Sequence, residues 1–338
     1  MLDPISLARQ LIDIPSTTEN EAAVGEFLEK ELTGLGYACR RQRVTDERFN
    51  LYAAAGGRPR VVLNSHMDTV PPWFSSGEDE DFLYGRGACD TKGVIAAMIV
   101  AGERLRARGV NEFAFLFVVG EETDSIGAKT ANPEFSSLGS EFVVVGEPTE
   151  SMFARASKGA FTCTVRFEGM AGHSAYPERG DSAITKLVDA ISEINATNWG
   201  EHDVLGKTTV NVGVIRGGQK PNVIAAEAEA EMIFRLVTHP DDIQARVEKI
   251  VAKRGGRIVV ARGNPPQFMV VPEGARSQVV AFNTDVAHLG GLGKPLLFGP
   301  GSILDAHGAN EKIAKKELLA AVATYEQMVM SLLEGKIS

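Results

Sequence analysis

Cysteine is scarce in this sequence, with three residues among 338, and no two of them lie close together. Cys39, Cys89 and Cys163 form neither a Cys-x-x-Cys pair nor the closely spaced framework of a disulfide-stabilised domain. Any metal site in this chain would therefore use nitrogen and oxygen ligands. Histidine is also scarce, at six residues, so the position of each histidine is informative.

Two further absences exclude classes of protein. No apolar run is long enough to span a bilayer, and the first residues lack the basic and then apolar order of a signal peptide. Positive charge is not in excess, because 35 Lys and Arg stand against 44 Asp and Glu, giving a net charge of −9. This balance argues against nucleic acid or an anionic membrane as a partner. We therefore expect a cytoplasmic protein.

Residues 1–157 alternate apolar strands with helices. The runs at 113–119 and 142–145 are rich in Val and Phe, as buried strands are, whereas Thr91–Arg108 has the Ala-rich pattern of a helix. Apolar strands separated by helices predict an α/β fold with a mostly parallel sheet that is covered on both faces. The same pattern resumes at residues 268–338.

Residues 158–267 follow a different pattern. Ala160–Phe167 alternates like a half-buried strand, and the segments after it predict a helix, two strands, a second helix and a last strand. This βαββαβ order is typical of an independent α+β domain of ferredoxin-like type. The sequence therefore predicts a larger domain of residues 1–157 and 268–338, into which the smaller domain of residues 158–267 is inserted.

Apolar strands of the larger domain end in imidazoles and carboxylates. His66 and Asp68 follow one strand, Glu121 and Glu122 follow the next, and Glu147 follows a third. In open α/β sheets, ligands bind outside the carboxyl ends of the strands. We therefore expect these five side chains to lie at one edge of the sheet.

Two more candidates come from other connections. Asp90 directly precedes the Ala-rich helix, and His307 lies beyond a Gly-Pro-Gly turn. Taken alone, Asp90 could cap the helix and His307 could be a surface residue. Several carboxylates at one edge, however, would repel each other and raise each other's pKa, a cost that a bound cation removes. Two imidazoles among them favour zinc or a similar transition metal over calcium or magnesium.

These residues belong to motifs that resemble those of a known family. The motifs occur in the family's order and are His66-x-Asp68, Asp90-x-Lys92-Gly93, Glu121-Glu122, Gly146-Glu147-Pro148, Gly172-His173-Ser174, Gly217-Gly218-x-x-Pro221-Asn222-Val223 and Ala306-His307. Over essentially the whole chain, the sequence resembles the acetylornithine deacetylase, succinyl-diaminopimelate desuccinylase and carboxypeptidase G family of zinc metallopeptidases, and acetylornithine deacetylases most. The resemblance implies a zinc-aminopeptidase-like catalytic domain with an inserted lid and dimerisation domain.

The resemblance also implies two zinc ions, for which cobalt could substitute. His66, Asp90 and Glu147 would hold one ion, and Asp90, Glu122 and His307 would hold the other. Asp90 would then bridge the two ions. The peptide bond after this aspartate is characteristically cis in the family, so we expect a cis bond between Asp90 and the residue that follows it.

The resemblance also implies roles for residues that do not bind a metal ion. Glu121 would be the general base, and the side chain of Asp68 would hydrogen-bond the second nitrogen of His66 and fix its tautomer. His173 would donate a hydrogen bond to the oxyanion, and in a homodimer built on the lid it would serve the partner's site. The alternative for His173 is that it only caps a turn.

Three further residues are candidates for binding substrate. Asn222 and Arg235 fall where family members have polar residues that face substrate, and Arg235 would pair with a carboxylate. An ion pair on the strand surface is almost as good an interpretation of Arg235. The turn at Gly301 could present backbone N–H groups to an anion, although such a sequence alone indicates only a turn.

The predicted function is a metal-dependent amidohydrolase that removes an acyl group, expected to be acetyl, from an N-acyl amino acid. The acetylornithine deacetylase type implies a place in amino-acid biosynthesis and a small-molecule substrate. Alternatives are a succinyl-diaminopimelate desuccinylase, a dipeptidase of the same family, or a non-catalytic protein that binds metal or peptide. Glu121 argues against the last, because a binding protein has no use for a base that holds no metal.

Overall fold

Helices and strands alternate along most of the chain in the computed structural model, which describes residues 2–336. Within that range the α-helices are α1 Pro4–Ile12, α2 Ala22–Gly34, α3 Lys92–Ala107, α4 Ile126–Phe135, α5 Ala183–Ala196, α6 Pro240–Ala252 and α7 Lys315–Leu333. The strands are β1 Ala38–Arg43, β2 Phe49–Ala54, β3 Val61–His66, β4 Gly77–Glu78, β5 Phe82–Tyr84, β6 Phe113–Val118, β7 Phe142–Val145, β8 Phe153–Ser157, β9 Gly159–Glu168, β10 Glu201–His202, β11 Gly206–Lys207, β12 Thr209–Gly217, β13 Glu227–Leu236, β14 Gly256–Asn264, β15 Gln267–Phe268, β16 Ser277–Val280, β17 Lys294–Leu297 and β18 Lys312–Ala314.

The described residues divide into two units. The first takes in the chain up to Arg155, Phe268–Gln278 and the chain from Thr284, and the second comprises Ala156–Gln267 and Val279–Asn283. Residues 156–157 and 279–283, which the sequence pattern places in the larger domain, lie in the second unit. The reason is local packing, because the N–H of Lys158 donates to the carbonyl of Val280 and Val279 packs against a small apolar cluster of Ala156, Leu205 and Val237.

The first unit is built on a six-stranded sheet of order β1-β2-β6-β3-β7-β17. Strands β6, β3, β7 and β17 are mutually parallel, and the antiparallel strands β2 and β1 extend the sheet beyond β6. The central strands β3 and β6 are buried along their whole length. Such strands read as continuous apolar runs, as the sequence indicated, and the predicted α/β class is confirmed.

Helix α3 is the most deeply buried helix within residues 2–336. Twelve of its sixteen residues are buried, and it packs against α1 and α7. The helix also approaches the sheet closely at Gly102, where an added Cβ would come within 2.5 Å of the Phe115 ring of β6. Glycine at this position thus allows α3 to pack tightly on the sheet.

The second unit contains a four-stranded antiparallel sheet of order β12-β13-β9-β14, with α5 and α6 packed against it. Its elements follow in the order β9, α5, β12, β13, α6 and β14, apart from the short pair β10–β11, so the predicted βαββαβ unit is confirmed. Alternate residues of β9 form the core with the helices, namely Phe161, Cys163, Val165 and Phe167.

None of the helices within residues 2–336 combines the length with the apolar character that crossing a membrane requires.

Candidate metal centre

The first unit brings the carboxyl ends of three neighbouring strands to one edge of its sheet. Strand β3 pairs in parallel with both β6 and β7. His66 is the last residue of β3, Glu121 and Glu122 follow β6, and Glu147 follows β7. Parallel pairing therefore explains why these side chains converge although they are far apart in the sequence.

Asp90 reaches the same edge from the connection before α3. The Thr91 hydroxyl donates to the carbonyl oxygen of His66 at 2.8 Å, and the Ser65 hydroxyl donates to the Thr91 hydroxyl at 2.8 Å. These bonds tie the start of α3 to the end of β3 and place Asp90 beside His66. The peptide bond between Asp90 and Thr91 is cis, which confirms that prediction.

Asp90 lies between two imidazoles. His66 Nε2 is 3.0 Å from Asp90 Oδ1 and 3.8 Å from Glu147 Oε2. On the other side, His307 Nε2 is 3.2 Å from Asp90 Oδ2 and 3.1 Å from Glu122 Oε2. The two oxygens of Asp90 thus face different imidazoles, each of which has a second carboxylate nearby. This is the arrangement expected of a carboxylate that bridges two cations.

Burial and neighbouring charged groups shift the pKa values at this edge. Burial, opposed by the nearby His66, raises the pKa of Glu147 to about 8. Burial and the charge of Glu147 raise the pKa of Glu121 well above its usual range. Hydrogen bonds to Asp90 and Glu122 raise the pKa of His307 to about 10. Bound protons or a divalent cation would therefore stabilise this cluster of carboxylates.

The donor atoms suit a metal. In two groups the ligand atoms all lie within 4.8 Å of one another, namely His66, Asp90 and Glu122, and His66, Glu121 and Glu147. Imidazole nitrogen and carboxylate oxygen without cysteine are donors that zinc and its first-row neighbours accept. The residues thus fit the divalent ions implied by the family resemblance. Because Glu121 also belongs to one group, the division of Glu121 and Glu122 into base and ligand stays a prediction.

Asp68 organises the adjacent glutamates. Its carboxylate accepts hydrogen bonds from the backbone N–H groups of Glu121 at 3.1 Å and Glu122 at 3.2 Å, and from the Thr18 hydroxyl at 2.9 Å. His66 Nδ1 is nearer to the backbone carbonyl of Asp68, at 2.9 Å, than to its carboxylate, at 3.5 Å. The carbonyl thus accepts the Nδ1 proton and leaves Nε2 available to a metal. The carboxylate mainly positions the glutamates.

The second unit carries three of the predicted residues, two of them in adjoining loops. His173 is exposed, and its Nδ1 accepts the N–H of Ala175 at 3.1 Å. The neutral ring therefore carries its proton on Nε2, where it can donate. The backbone N–H of Ser174 donates to the carbonyl of Asn222 at 3.1 Å, which joins the two loops. Arg235 lies on β13 and is partly buried.

Gly301 lies in the first unit in a left-handed conformation, with a φ of 83°. An added Cβ would come within 2.7 Å of the Cys89 side chain, so glycine is needed for this close approach. The N–H of Gly301 donates to Glu317 Oε2 at 3.1 Å. An anionic substrate would have to compete with Glu317 for this donor.

Sequence reasoning missed three residues beside the centre. Thr18, Asp285 and Glu311 lie in no motif that the sequence analysis used, and only the fold brings them close. Asp285 is buried, and this burial, opposed by a hydrogen bond from Ser125, raises its pKa to about 6. Glu311 accepts hydrogen bonds from the loop that carries Asp90. Its spacing of four residues from His307 has no distinctive pattern by which it could have been found.

Comparisons with known proteins define the family. A model of the peptidase dimerisation domain of M20 peptidases matches residues 155–259. A peptidase M20 domain-containing protein of Schizosaccharomyces pombe is 37% identical over 337 residues, covering 96% of this chain and 84% of that protein. A probable carboxypeptidase of Aspergillus flavus is 35% identical over 372 residues, covering 96% and 89%. The chain belongs to the M20 peptidase family and is a hydrolase.

Solved structures show the same fold. A tripeptidase from Staphylococcus aureus superposes with a TM-score of 0.80 at 22% identity, covering 96% of this chain and 97% of that one. An M20 metallo-carboxypeptidase from Sulfolobus solfataricus has a TM-score of 0.80 at 18% identity, covering 97% and 99%. A dinuclear metal-binding M20 peptidase from Bacillus subtilis has a TM-score of 0.69 at 16% identity, covering 98% of each chain. None of the relatives named here is an acetylornithine deacetylase.

Proposed function

We propose that this protein is a metal-dependent amidohydrolase that cleaves the amide bond on the nitrogen of an amino acid with a free α-carboxylate. The observation that carries the proposal is the position of Asp90, whose two oxygens face His66 and His307 at 3.0 and 3.2 Å. Each imidazole has a second carboxylate nearby, Glu147 or Glu122. We propose zinc as the metal in both places, with cobalt able to replace it.

The residues of the chain divide the work of hydrolysis. Two divalent ions, when bound, would acidify a water molecule and polarise the acyl oxygen. Glu121 accepts a proton from the attacking water and passes it to the leaving nitrogen, so that the C–N bond breaks and a carboxylic acid and an amine are formed. Asp68 fixes the backbone that carries Glu121.

Two classes of substrate contain an amide bond on the nitrogen of an amino acid with a free α-carboxylate. An acetylornithine deacetylase type of substrate, an N-acetyl amino acid, agrees with the Gly-Pro-Gly and Ala-His motifs near the end of the chain. A peptide is favoured by the printed names of relatives, which include probable carboxypeptidases and a tripeptidase. In both classes the α-carboxylate is a recognition point. We propose that Arg235 and Asn222 bind it, with the turn at Gly301 as a further contact.

A substrate panel tests the proposed function. Zinc-loaded protein is incubated with N-acetyl, N-succinyl and N-formyl amino acids, dipeptides and longer peptides, each paired with its α-amide, and the released amine is measured. We expect hydrolysis of at least one compound with a free α-carboxylate and much slower hydrolysis of its amide. Preference for acetylornithine marks a deacetylase, and a requirement for a free α-amine marks a dipeptidase. No hydrolysis by protein verified to hold metal would refute the proposal.

We also propose that the second unit is a lid through which two subunits form a homodimer. The match of a peptidase dimerisation domain to residues 155–259 supports dimerisation. The tautomer of His173 supports its role, because Nε2–H is an exposed donor of the kind that an oxyanion requires. In the dimer, His173 of one subunit would complete the site of its partner.

Subunit mixing tests this arrangement. His173→Ala and Glu121→Gln proteins are each expected to be nearly inactive alone, but their mixed dimer would contain one site in which both residues are intact. We expect activity to reappear when the two proteins exchange subunits, and no gain when either protein is mixed with itself. If light scattering shows monomers, or exchange is demonstrated and activity stays absent, the proposed trans arrangement is wrong.

A further inference from the structure

The loop before the bridging aspartate depends on a distant carboxylate. Glu311 Oε1 accepts hydrogen bonds from the backbone N–H groups of Gly87 at 2.9 Å, Cys89 at 3.3 Å and Asp90 at 3.2 Å. The loop consists of turns, and no other acceptor is shown for these three donors within residues 2–336. Glu311 is fully buried. A single side-chain oxygen therefore satisfies three backbone donors of one loop that the fold hides from water.

The second oxygen of this carboxylate pairs with Arg86. Arg86 Nη1 is 2.6 Å from Glu311 Oε2, and the two side chains are 1% and 0% exposed. The same guanidinium donates through Nη2 to the backbone carbonyl of His307 at 3.4 Å and through Nε to that of Pro72 at 3.2 Å. The planar fork of arginine allows these bonds to form together, which a lysine ammonium does not. The pair thus joins the Asp90 loop to the backbone of His307.

We infer that the buried Arg86–Glu311 pair positions Asp90 and His307 for the second metal ion. The inference rests on the proposed function, because it takes Asp90, Glu122 and His307 as the ligands of that ion. Glu311 itself is not a ligand, since donors from the protein occupy both of its oxygens. It acts on the metal through the backbone of the residues that bind it.

The effect falls mainly on one of the two ions. Of the ligands proposed for the first ion, His66 is held by the carbonyl of Asp68 and by the Thr91 hydroxyl on its own carbonyl. Neither contact involves the Arg86–Glu311 pair. For the second ion, the backbone N–H of Asp90 donates to Glu311 and the backbone carbonyl of His307 accepts from Arg86. Loss of the pair therefore loosens two of three ligands of the second ion and one of three of the first.

Glu311→Gln tests the inference by metal binding. The amide cannot pair with Arg86 as a charge, and its NH2 group competes for the place of the acceptor oxygen. We expect the second ion to bind about 10–100-fold more weakly, as is typical when a group behind the ligands is changed, and the first ion to change less. The measurement is zinc content and competition with a chelator. His307→Ala and His66→Ala proteins provide the patterns for loss of the second and of the first ion.

Glu21→Gln is the matched control. Glu21 forms a comparable buried pair with Arg48 in the same unit, at 2.6 and 3.0 Å. Within residues 2–336, no hydrogen bond links this pair to residues 85–90 or to His307. We expect Glu21→Gln to lower the melting temperature and leave both zinc affinities unchanged. A general effect of breaking a buried ion pair would appear in both variants.

Arg86→Lys keeps the test decisive if Glu311→Gln does not fold. Lysine retains the charge and leaves Glu311 as the acceptor of the loop, but it cannot also reach His307 and Pro72. The expected result is a smaller weakening that is confined to the second ion. Unchanged affinity for both ions, or equal weakening of both in folded Glu311→Gln and Arg86→Lys, overturns the inference. If the wild-type protein itself binds no second ion, the proposed metal centre fails, and the two failures are thereby distinguished.

Discussion

Glu121→Gln is expected to reduce kcat by about 10²–10⁴-fold and to leave both metal ions in place. The amide has nearly the shape of the carboxylate but cannot take a proton from water. The backbone N–H of Glu121 still donates to Asp68, so the strand end keeps its position. Turnover of the best substrate from the panel and metal content by elemental analysis are measured on the same protein.

Glu122→Gln is the matched control, because it makes the same chemical change at the next position. Glu122 lies 3.1 Å from His307 Nε2 and is proposed as a ligand. We expect this variant to lose activity together with one metal ion. Retention of both ions in Glu122→Gln and loss of one in Glu121→Gln would show that the two roles are exchanged. Near-wild-type turnover of Glu121→Gln would show that Glu121 is not the general base.

Removal of the metal is expected to abolish hydrolysis and to lower the melting temperature. Without a cation, burial raises the pKa of Glu147 to about 8, and the neighbouring carboxylates add to the cost of keeping negative charge at this edge. Binding of metal to the folded state then stabilises the protein by mass action. Zinc or cobalt added back should restore both properties.

Magnesium serves as the control, since imidazole ligands favour zinc and cobalt over a cation that prefers oxygen. Activity and the melting temperature are measured before chelation, after it and after each metal is added. Full activity in protein that is verified to be free of metal would refute the metal-dependent mechanism.

Much of the centre was accessible from the sequence because it depends on strand ends. His66, Glu121 and Glu147 follow apolar runs that form neighbouring parallel strands, so a local pattern determines where they converge. Asp90 and His307 come from connections, and the family motifs rather than periodicity singled them out. In the structure, His307 Nε2 lies 3.2 Å from Asp90 Oδ2.

Other features depend on contacts that no local pattern records. Glu311 is 221 residues from Asp90 in sequence, and its role appears only when two distant loops meet. The short strand β18 forms because residues 312–314 pair with β5 across the fold. Residues 279–283 lie in the second unit, where the N–H of Lys158 donates to the carbonyl of Val280, a contact that no local pattern predicts. Long-range packing overrides local preference in each case.

The division of the acidic residues between base and ligands is the other limit of sequence reasoning. Glu121 and Glu122 are adjacent and identical, so composition cannot separate them. In the structure, the side chain of Glu122 approaches His307, whereas Glu121 is grouped with His66 and Glu147. The backbone N–H groups of both residues donate to Asp68, and the different directions of their side chains are a property of the folded backbone.

The most direct measurement of the central claim is anomalous diffraction at the zinc edge from crystals of zinc-loaded protein. We expect two peaks, both with Asp90 as a ligand. His66 and Glu147 should be the other ligands of one ion, and Glu122 and His307 those of the other. Glu121 should contact neither ion. A single peak, a peak bound by Glu121, or zinc bound only elsewhere in the chain would contradict the account.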